Sequence, residues 1–380
     1  MIPSRPASRT LGRVPDVRSR PSLSLPTRRA IVVGAGSFGT AVAVLLARGG
    51  FRTTLQTRTP EQATTLLEDR ENRVYLPGVE LPKELRIESV EAGLGRADYV
   101  FLGVPSTAVA QTIAGLTKAG LTNRSAVISL AKGLTPPNGL APTILLRERF
   151  GEGRVACIGG PSHAREMVSE GAALVAASTN EDLARALAGV FIRAGVVCEQ
   201  SNDPIGVELA GAAKNAAGLA AGATEAQGLN AAGAAAGHIF AEVWRYADGQ
   251  GARPESLLGL AGTGDLVATV LAPQSRNRRA GELLAAGVAA HEIPERIGQT
   301  VESLESVPLL ARALNHAGLE APVTDGLAKL ISGEMPLDDW VALVRTTVPP
   351  PARWRPVAPK FWARVTTRTR ARFRRADAST

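Results

Sequence analysis

Apolar positions follow two different rhythms along the chain. Between residues 30 and 200 they come as short, often β-branched runs closed by Gly or Pro: 30–33, 51–56, 99–104, 126–130, 155–158, 172–177 and 195–199. Runs this short and this apolar predict strands buried on both faces of a parallel sheet. Helical stretches such as 40–47, closed by Gly49-Gly50, separate them, and this alternation predicts βαβ units and a doubly wound sheet. The rhythm changes at Ser201-Asn202-Asp203-Pro204, where an N-cap candidate followed by Pro marks a helix start. From there to about Arg345 the period is helical. Ala/Gly stretches at 212–223 and 231–237 predict helices packed closely on one another. The expected organisation is an α/β sheet domain over 29–200 and an all-α domain over 201–347. Disordered basic segments are expected at 1–28 and 348–380.

Gly34-Ala35-Gly36-Ser37-Phe38-Gly39 follows the first predicted strand and opens the first predicted helix, the context in which G-x-G-x-x-G signals a dinucleotide site. The first glycine permits the tight turn and the second lets a pyrophosphate approach the backbone. The third lets helix and strand lie close, while the helix N-terminus stabilises the phosphate charge. The sheet domain is therefore Rossmann-like. An NAD-specific site places Asp or Glu at the end of the second strand, yet the segment here is Gln56-Thr57-Arg58-Thr59. Arg58 is either a solvated surface residue or the partner of a 2′-phosphate, so NADP(H) is expected to be tolerated or preferred alongside NAD(H).

Charge changes the picture less than its total suggests. The 380 residues carry a formal net charge of +8, which points to nucleic acid or a membrane surface. Residues 1–30 hold +6 and residues 341–380 hold +9, leaving 31–340 at −7. An acidic body argues against a DNA-reading domain, which needs several cations on one face. The 45% hydrophobic content supports a sizeable core. Cys157 and Cys198 lack metal-ligand spacing and fit a reducing cytoplasm, and no metal site is expected. No run of about 18 apolar residues predicts membrane insertion. The N-terminus lacks a secretory apolar region, and its prolines obstruct the amphipathic helix of a transit peptide.

Polar islands interrupt the apolar background. Ala131-Lys132-Gly133 and Gly159-Gly160-Pro161-Ser162-His163-Ala164 each follow a strand, at the end of the sheet where open α/β folds bind ligands. Lys214-Asn215 sits in a very apolar helix, and the lysine either snorkels to the surface or is buried for function. Asp265, in Gly262-Thr263-Gly264-Asp265, is a candidate partner for a buried lysine. Ser275-Arg276-Asn277-Arg278-Arg279 reads as an anion site or as a solvated helix face.

These motifs, taken in order, resemble the bacterial NAD(P)-dependent glycerol-3-phosphate dehydrogenases from about Arg29 to about Arg345. The resemblance rests on the glycine motif, residues 72–78 (NRVYLPG), Val104-Pro105-Ser106, AKG, GPSHA with Glu166, GAAKN, GTGDL, SRNRRAG and Gln299-Thr300-Val301-Glu302. It implies reduction of dihydroxyacetone phosphate to sn-glycerol 3-phosphate, a phospholipid precursor; dimers are common among such relatives, so a homodimer is possible by analogy. It implies that Lys214 is the proton donor and acceptor, with Asn215, Lys132 and Asp265 beside it. Lys132, Gly160, Ser162, Lys214, Asp265, Ser275, Arg276 and Asn277 fall at substrate-contacting positions. Ser37, Phe38, Arg58, Lys132, Ala164, Arg276 and Glu302 fall where the family contacts cofactor, with Gly34, Gly36 and Gly39 as the cradle. A second cation would lower the Lys214 pKa and Asp265 would oppose that shift. His163 is expected to pack or to bond backbone, and Cys157 to be a small hydrophobe. The chain departs from the family at 228–237, GLNAAGAAAG, where relatives are more polar. Two other readings compete: a two-domain dehydrogenase acting on a ketopantoate-like or β-hydroxy acid, and a non-catalytic nucleotide sensor recruited to anionic surfaces by its basic ends.

Overall fold

In the computed structural model, ten strands form among the described residues, where short extended segments can be buried or paired. They are β1 (Arg29–Val33), β2 (Arg52–Thr57), β3 (Glu71–Asn72), β4 (Leu76–Glu80), β5 (Arg86–Ser89), β6 (Tyr99–Leu102), β7 (Ala126–Ser129), β8 (Val155–Gly159), β9 (Ala173–Ala177) and β10 (Val197–Ser201). The structure describes residues 28–350, so the expected disorder of the basic ends lies almost wholly outside the described residues. Residues 28–347 lie in one compact unit.

Eight strands make one sheet in the order β10-β9-β8-β7-β6-β1-β2-β5, and β3 pairs with β4 in a separate antiparallel hairpin. The central strands are apolar at nearly every position because helices cover both faces. Val32, Leu55 and Phe101 face one cluster, and Ile31, Val100 and Val127 face the other. From β1 the chain moves outward to β2 and β5, then returns to β6 on the other side of β1. The carboxyl ends of β1 and β6 thus frame the switch point at which such sheets bind ligands.

Two features differ from the expectation of a uniformly parallel sheet. β9 runs antiparallel to β8 and parallel to β10, so one edge pair is reversed. β3, β4 and β5 lie in a stretch without an apolar run. In β5 (RIES) only Ile87 is apolar and buried, as fits an edge strand, and β4 carries Pro77 and Gly78.

The helical half is built around Pro204–Thr224. Pro204 occupies the first helical turn, and the Asp203 carboxylate accepts from the Gly206 N–H at 2.8 Å as N-cap. Every residue of this helix except Ile205 is buried. Leu229–Gly249, Arg276–Ala285 and Glu302–His316 pack against it. Small residues permit the approach: a Cβ on Gly222 would stand 2.0 Å from the Arg278 carbonyl oxygen, and one on Gly281 would stand 2.0 Å from that of Leu219. Gly222→Ala must push these helices apart, at a cost of about 1–3 kcal/mol. Urea unfolding checks this, and an unchanged midpoint would contradict the packing described.

Two buried glutamates tie helices together by capping a neighbour. Glu208 accepts from the Thr143 N–H at 3.0 Å and from its hydroxyl at 2.5 Å, at the start of Pro142–Phe150. Glu242 accepts from the Val323 and Thr324 N–H groups at the start of Pro322–Ser332. Each satisfies N-terminal N–H groups that have no cap of their own. Burial pushes the Glu208 carboxyl up to about 7, against the pull of its Thr143 hydrogen bonds. Among the described residues no single helix is long and apolar enough to cross a membrane.

Candidate active site

The glycine loop leaves β1 and enters the helix Ser37–Arg48. Gly34 has φ +105°, and a Cβ there would come within 2.5 Å of the Gly103 carbonyl oxygen at the end of β6. A Cβ on Gly39 would come within 2.2 Å of the Gly34 carbonyl oxygen, whereas one on Gly36 would meet nothing within 4 Å. The outer glycines are therefore required for packing, and the middle one keeps the approach to the helix N-terminus open. That terminus has no side-chain cap and no acid in its first turn, so its N–H groups suit a pyrophosphate. Asn72 pins the loop by donating to the Ala35 carbonyl and to Thr40 Oγ1, both at 2.9 Å. Arg58 is exposed in the bend between β2 and the helix Pro60–Asp69.

A charged centre lies in the same cleft. Lys132, three residues beyond β7, places Nζ 2.7 Å from Asp265 Oδ2. It also donates to the Gly160 carbonyl and to Ser162 Oγ, both at 2.8 Å. Lys214 places Nζ 3.3 Å from Asp265 Oδ1 and donates to Thr269 Oγ1 at 3.1 Å. One carboxylate thus bridges two ammoniums, with Lys214 8% and Asp265 2% exposed. Asp265 begins its helix directly after a single π-turn, Leu260–Gly264, a distortion that recurs at functional sites.

Burial is the largest influence on Lys214 and lowers its pKa to about 8; Asp265 opposes the shift, and Lys132 adds to it. The second cation is therefore a smaller cause than the apolar Ala-rich helix itself. Burial raises Asp265, but the two ammoniums outweigh it and hold the carboxyl below its ordinary value. Glu302 is pushed up by burial, against Lys214, Arg276 and Lys132.

Neutral amides connect this centre to its surroundings. Asn215 Nδ2 donates to the Lys132 carbonyl at 2.8 Å and to Glu302 Oε2 at 3.4 Å. Asn277 Nδ2 donates to Asn215 Oδ1 at 2.8 Å. Lys132 Nζ stands 5.4 Å from the centroid of the Phe38 ring, which joins the charged centre to the glycine loop. Motifs far apart in sequence touch elsewhere too: Gln299 donates to the Val74 carbonyl, and Gln274 to Glu166. Their joint order in the chain reflects one connected network in space.

The remaining expected residues sit at the margin of this network. Ser275 caps Arg276–Ala285, its hydroxyl accepting from the Arg278 N–H at 3.4 Å. Arg276 is exposed and donates to the Thr300 carbonyl at 2.9 Å. Arg278 instead pairs with Glu225 at 2.6 Å and belongs to the solvated face. Ala164 starts a short helix beyond β8. His163 Nε2 lies 3.2 Å from the Ala268 carbonyl, the expected backbone contact. Cys157 is buried, and its thiol pKa is raised well above the ordinary value by burial. The 228–237 segment forms the turn into Leu229–Gly249 and the first part of that helix. None of the hydrogen bonds described for the charged centre involves it. Thr269 was not singled out from the sequence; it lies one helical turn after Asp265, and that i, i+4 spacing was the available signal.

Chemically, two ammoniums held on one buried carboxylate, together with neutral amide donors, lie beside a dinucleotide cradle. Such a site can hold a polarised oxygen and exchange a proton with it. Comparison with known proteins agrees. Residues 29–184 match the family described as NAD-dependent glycerol-3-phosphate dehydrogenase N-terminus, and residues 203–342 match its C-terminus counterpart. The glycerol-3-phosphate dehydrogenase (NAD(P)+) of Moorella thermoacetica is 37% identical over 316 residues, covering 82% of this chain and 93% of that one. The crystal structure of glycerol-3-phosphate dehydrogenase from Coxiella burnetii matches with a TM-score of 0.80 at 28% identity, over 84% of this chain and 99% of that one. A ketopantoate reductase from Ralstonia eutropha, at 20% identity and a TM-score of 0.56 over 83% and 99% of the two chains, shares the fold alone. With both halves of the chain matched, this protein belongs to the NAD-dependent glycerol-3-phosphate dehydrogenase family.

Proposed function

We propose that this protein reduces dihydroxyacetone phosphate to sn-glycerol 3-phosphate, reversibly, with NADH or NADPH. The observation that carries the reading is the convergence of Lys132 and Lys214 on opposite oxygens of the buried Asp265. The dinucleotide, when bound at the glycine loop, supplies the hydride. Lys214 Nζ gives its proton to the carbonyl oxygen as charge develops there, and takes one back in the reverse direction. A pKa of about 8 suits both directions near neutral pH. Lys132 adds positive potential, while its contacts with Gly160 and Ser162 fix its position. Asp265 orients both ammoniums. Asn215 and Asn277 offer neutral donors, and Arg276, with Ser275 and Asn277, supplies the planar fork for the substrate phosphate.

Arg58 is our candidate for the adenosine 2′-phosphate. It is exposed at the end of β2, and among the described residues it has no carboxylate within 4.0 Å. Ser37, Phe38, Ala164 and Glu302 complete the cofactor side of this reading. The two buried, unpaired cysteines suit a reducing cytoplasm.

Following nicotinamide absorbance with dihydroxyacetone phosphate and with ketopantoate, each with NADH and NADPH, tests the reading. Turnover with the phosphorylated ketone is expected; turnover with ketopantoate alone would overturn it. Arg58→Ala should raise KM for NADPH by about tenfold, the loss of one charge-assisted contact, and leave KM for NADH unchanged. Equal effects on the two cofactors would remove Arg58 from the site.

A further inference from the structure

The opposite end of the sheet carries a second concentration of positive charge. Arg29 opens β1 and Arg52 opens β2, and the two are register partners. Thr54, two residues beyond Arg52 and therefore on the same face, is the partner of Arg86, which opens β5. Side chains in register on neighbouring strands point to the same side of the sheet. Three guanidiniums consequently line up across three adjacent strands. Arg96, between β5 and β6, joins them around a cavity of about 240 Å³, in whose lining Glu88 is the one carboxylate among the described residues.

This row is electrostatically unfavourable as it stands. Like charges side by side on neighbouring strands repel, and among the described residues none of the four guanidinium groups has a carboxylate oxygen within 4.0 Å; Asp98 accepts from the Arg29 backbone N–H at 2.8 Å but pairs with none of them. The row sits in a body whose residues 31–340 total −7. It is also remote from the charged centre, since it lies at the amino ends of β1 and β2, whereas the glycine cradle follows the carboxyl end of β1 and Lys132 follows that of β7. Arg28, stacked on the Tyr99 ring at 5.6 Å, stands at the same edge.

We propose that this arginine edge docks the enzyme on the anionic face of a phospholipid membrane. Guanidiniums spaced along a sheet edge suit a layer of separate phosphates, each of which can take a bidentate contact. Among the described residues the cavity lining contains no aromatic side chain on which a nucleic-acid base could stack. The contact is peripheral, made by charge on a surface and not by insertion.

Co-sedimentation of the full chain with vesicles tests this. Binding is expected to vesicles of phosphatidylcholine and phosphatidylglycerol in equal parts and not to phosphatidylcholine alone, with release by salt. Each arginine near such a surface is worth about a factor of five. The exposed triple variant Arg52→Ala, Arg86→Ala, Arg96→Ala should therefore bind about a hundredfold more weakly, with kcat unchanged as proof of folding. No binding by the native chain, or equal binding by the variant, would overturn the proposal. So would displacement from vesicles by a single-stranded RNA that the native chain binds and the triple variant does not, which would assign the edge to nucleic acid.

Discussion

Lys214→Ala lowers kcat for dihydroxyacetone phosphate reduction by about 10²–10⁴-fold, the range that a positioned general acid contributes, while KM for the substrate changes little. Lys214 is 8% exposed and its Nζ lies 3.3 Å from Asp265 and 3.1 Å from Thr269, while the other ammonium, Lys132, is held on the opposite oxygen of Asp265 by Gly160 and Ser162. The pH dependence has a definite sign. Reduction needs the ammonium, so its rate falls as pH rises through about 8; oxidation needs the amine, so its rate climbs through the same value. Stability is linked to this proton as well. The folded lysine releases it at about 8, while the unfolded lysine holds it to the ordinary lysine value. Stability therefore rises with pH between those two values, because the unfolded state binds more protons there. In Lys214→Ala that rise disappears. Urea unfolding and initial rates across this range check both statements, and a variant with native turnover would remove Lys214 from the chemistry.

Asp265→Asn is expected to be nearly as damaging, for a different reason. The carboxylate is 2% exposed and is shared by two ammoniums. Removing its charge leaves two like charges close together without compensation, and breaking a buried pair in this way costs about 3–5 kcal/mol. The protein answers partly by discharging Lys214: with Asp265 gone, burial and Lys132 both push its pKa below about 8. The pH at which reduction fails should move down, and kcat at neutral pH should fall with it. If kcat dropped while the pH profile stayed in place, Asp265 would be a structural residue and not the group that sets the lysine.

Much of this architecture was legible along the chain. Apolar runs such as 30–33 and 155–158 identify central strands because a strand covered on both faces admits no polar position. The edge strands escaped notice for the complementary reason, since Arg86–Ser89 needs only Ile87 to be buried. The reversal of β9 against β8 also left no mark on the residues, because a strand buried on both faces has the same apolar pattern in either direction.

The site divides in the same way. The residues in their order specify which groups are available: three glycines at the end of a strand, two lysines, one aspartate and a set of neutral amides, each in a local setting that suits its chemistry. It takes the folded chain to bring Lys132 from the sheet half and Lys214 from the helical half onto the two oxygens of one carboxylate. The fold also makes burial, more than the second cation, the cause of the lowered Lys214 pKa. Propensity and periodicity act over a few residues, whereas a pKa depends on how much water the rest of the fold removes. The arginine row has the same origin. Arg29, Arg52 and Arg86 are ordinary surface residues until the register of three strands sets them side by side.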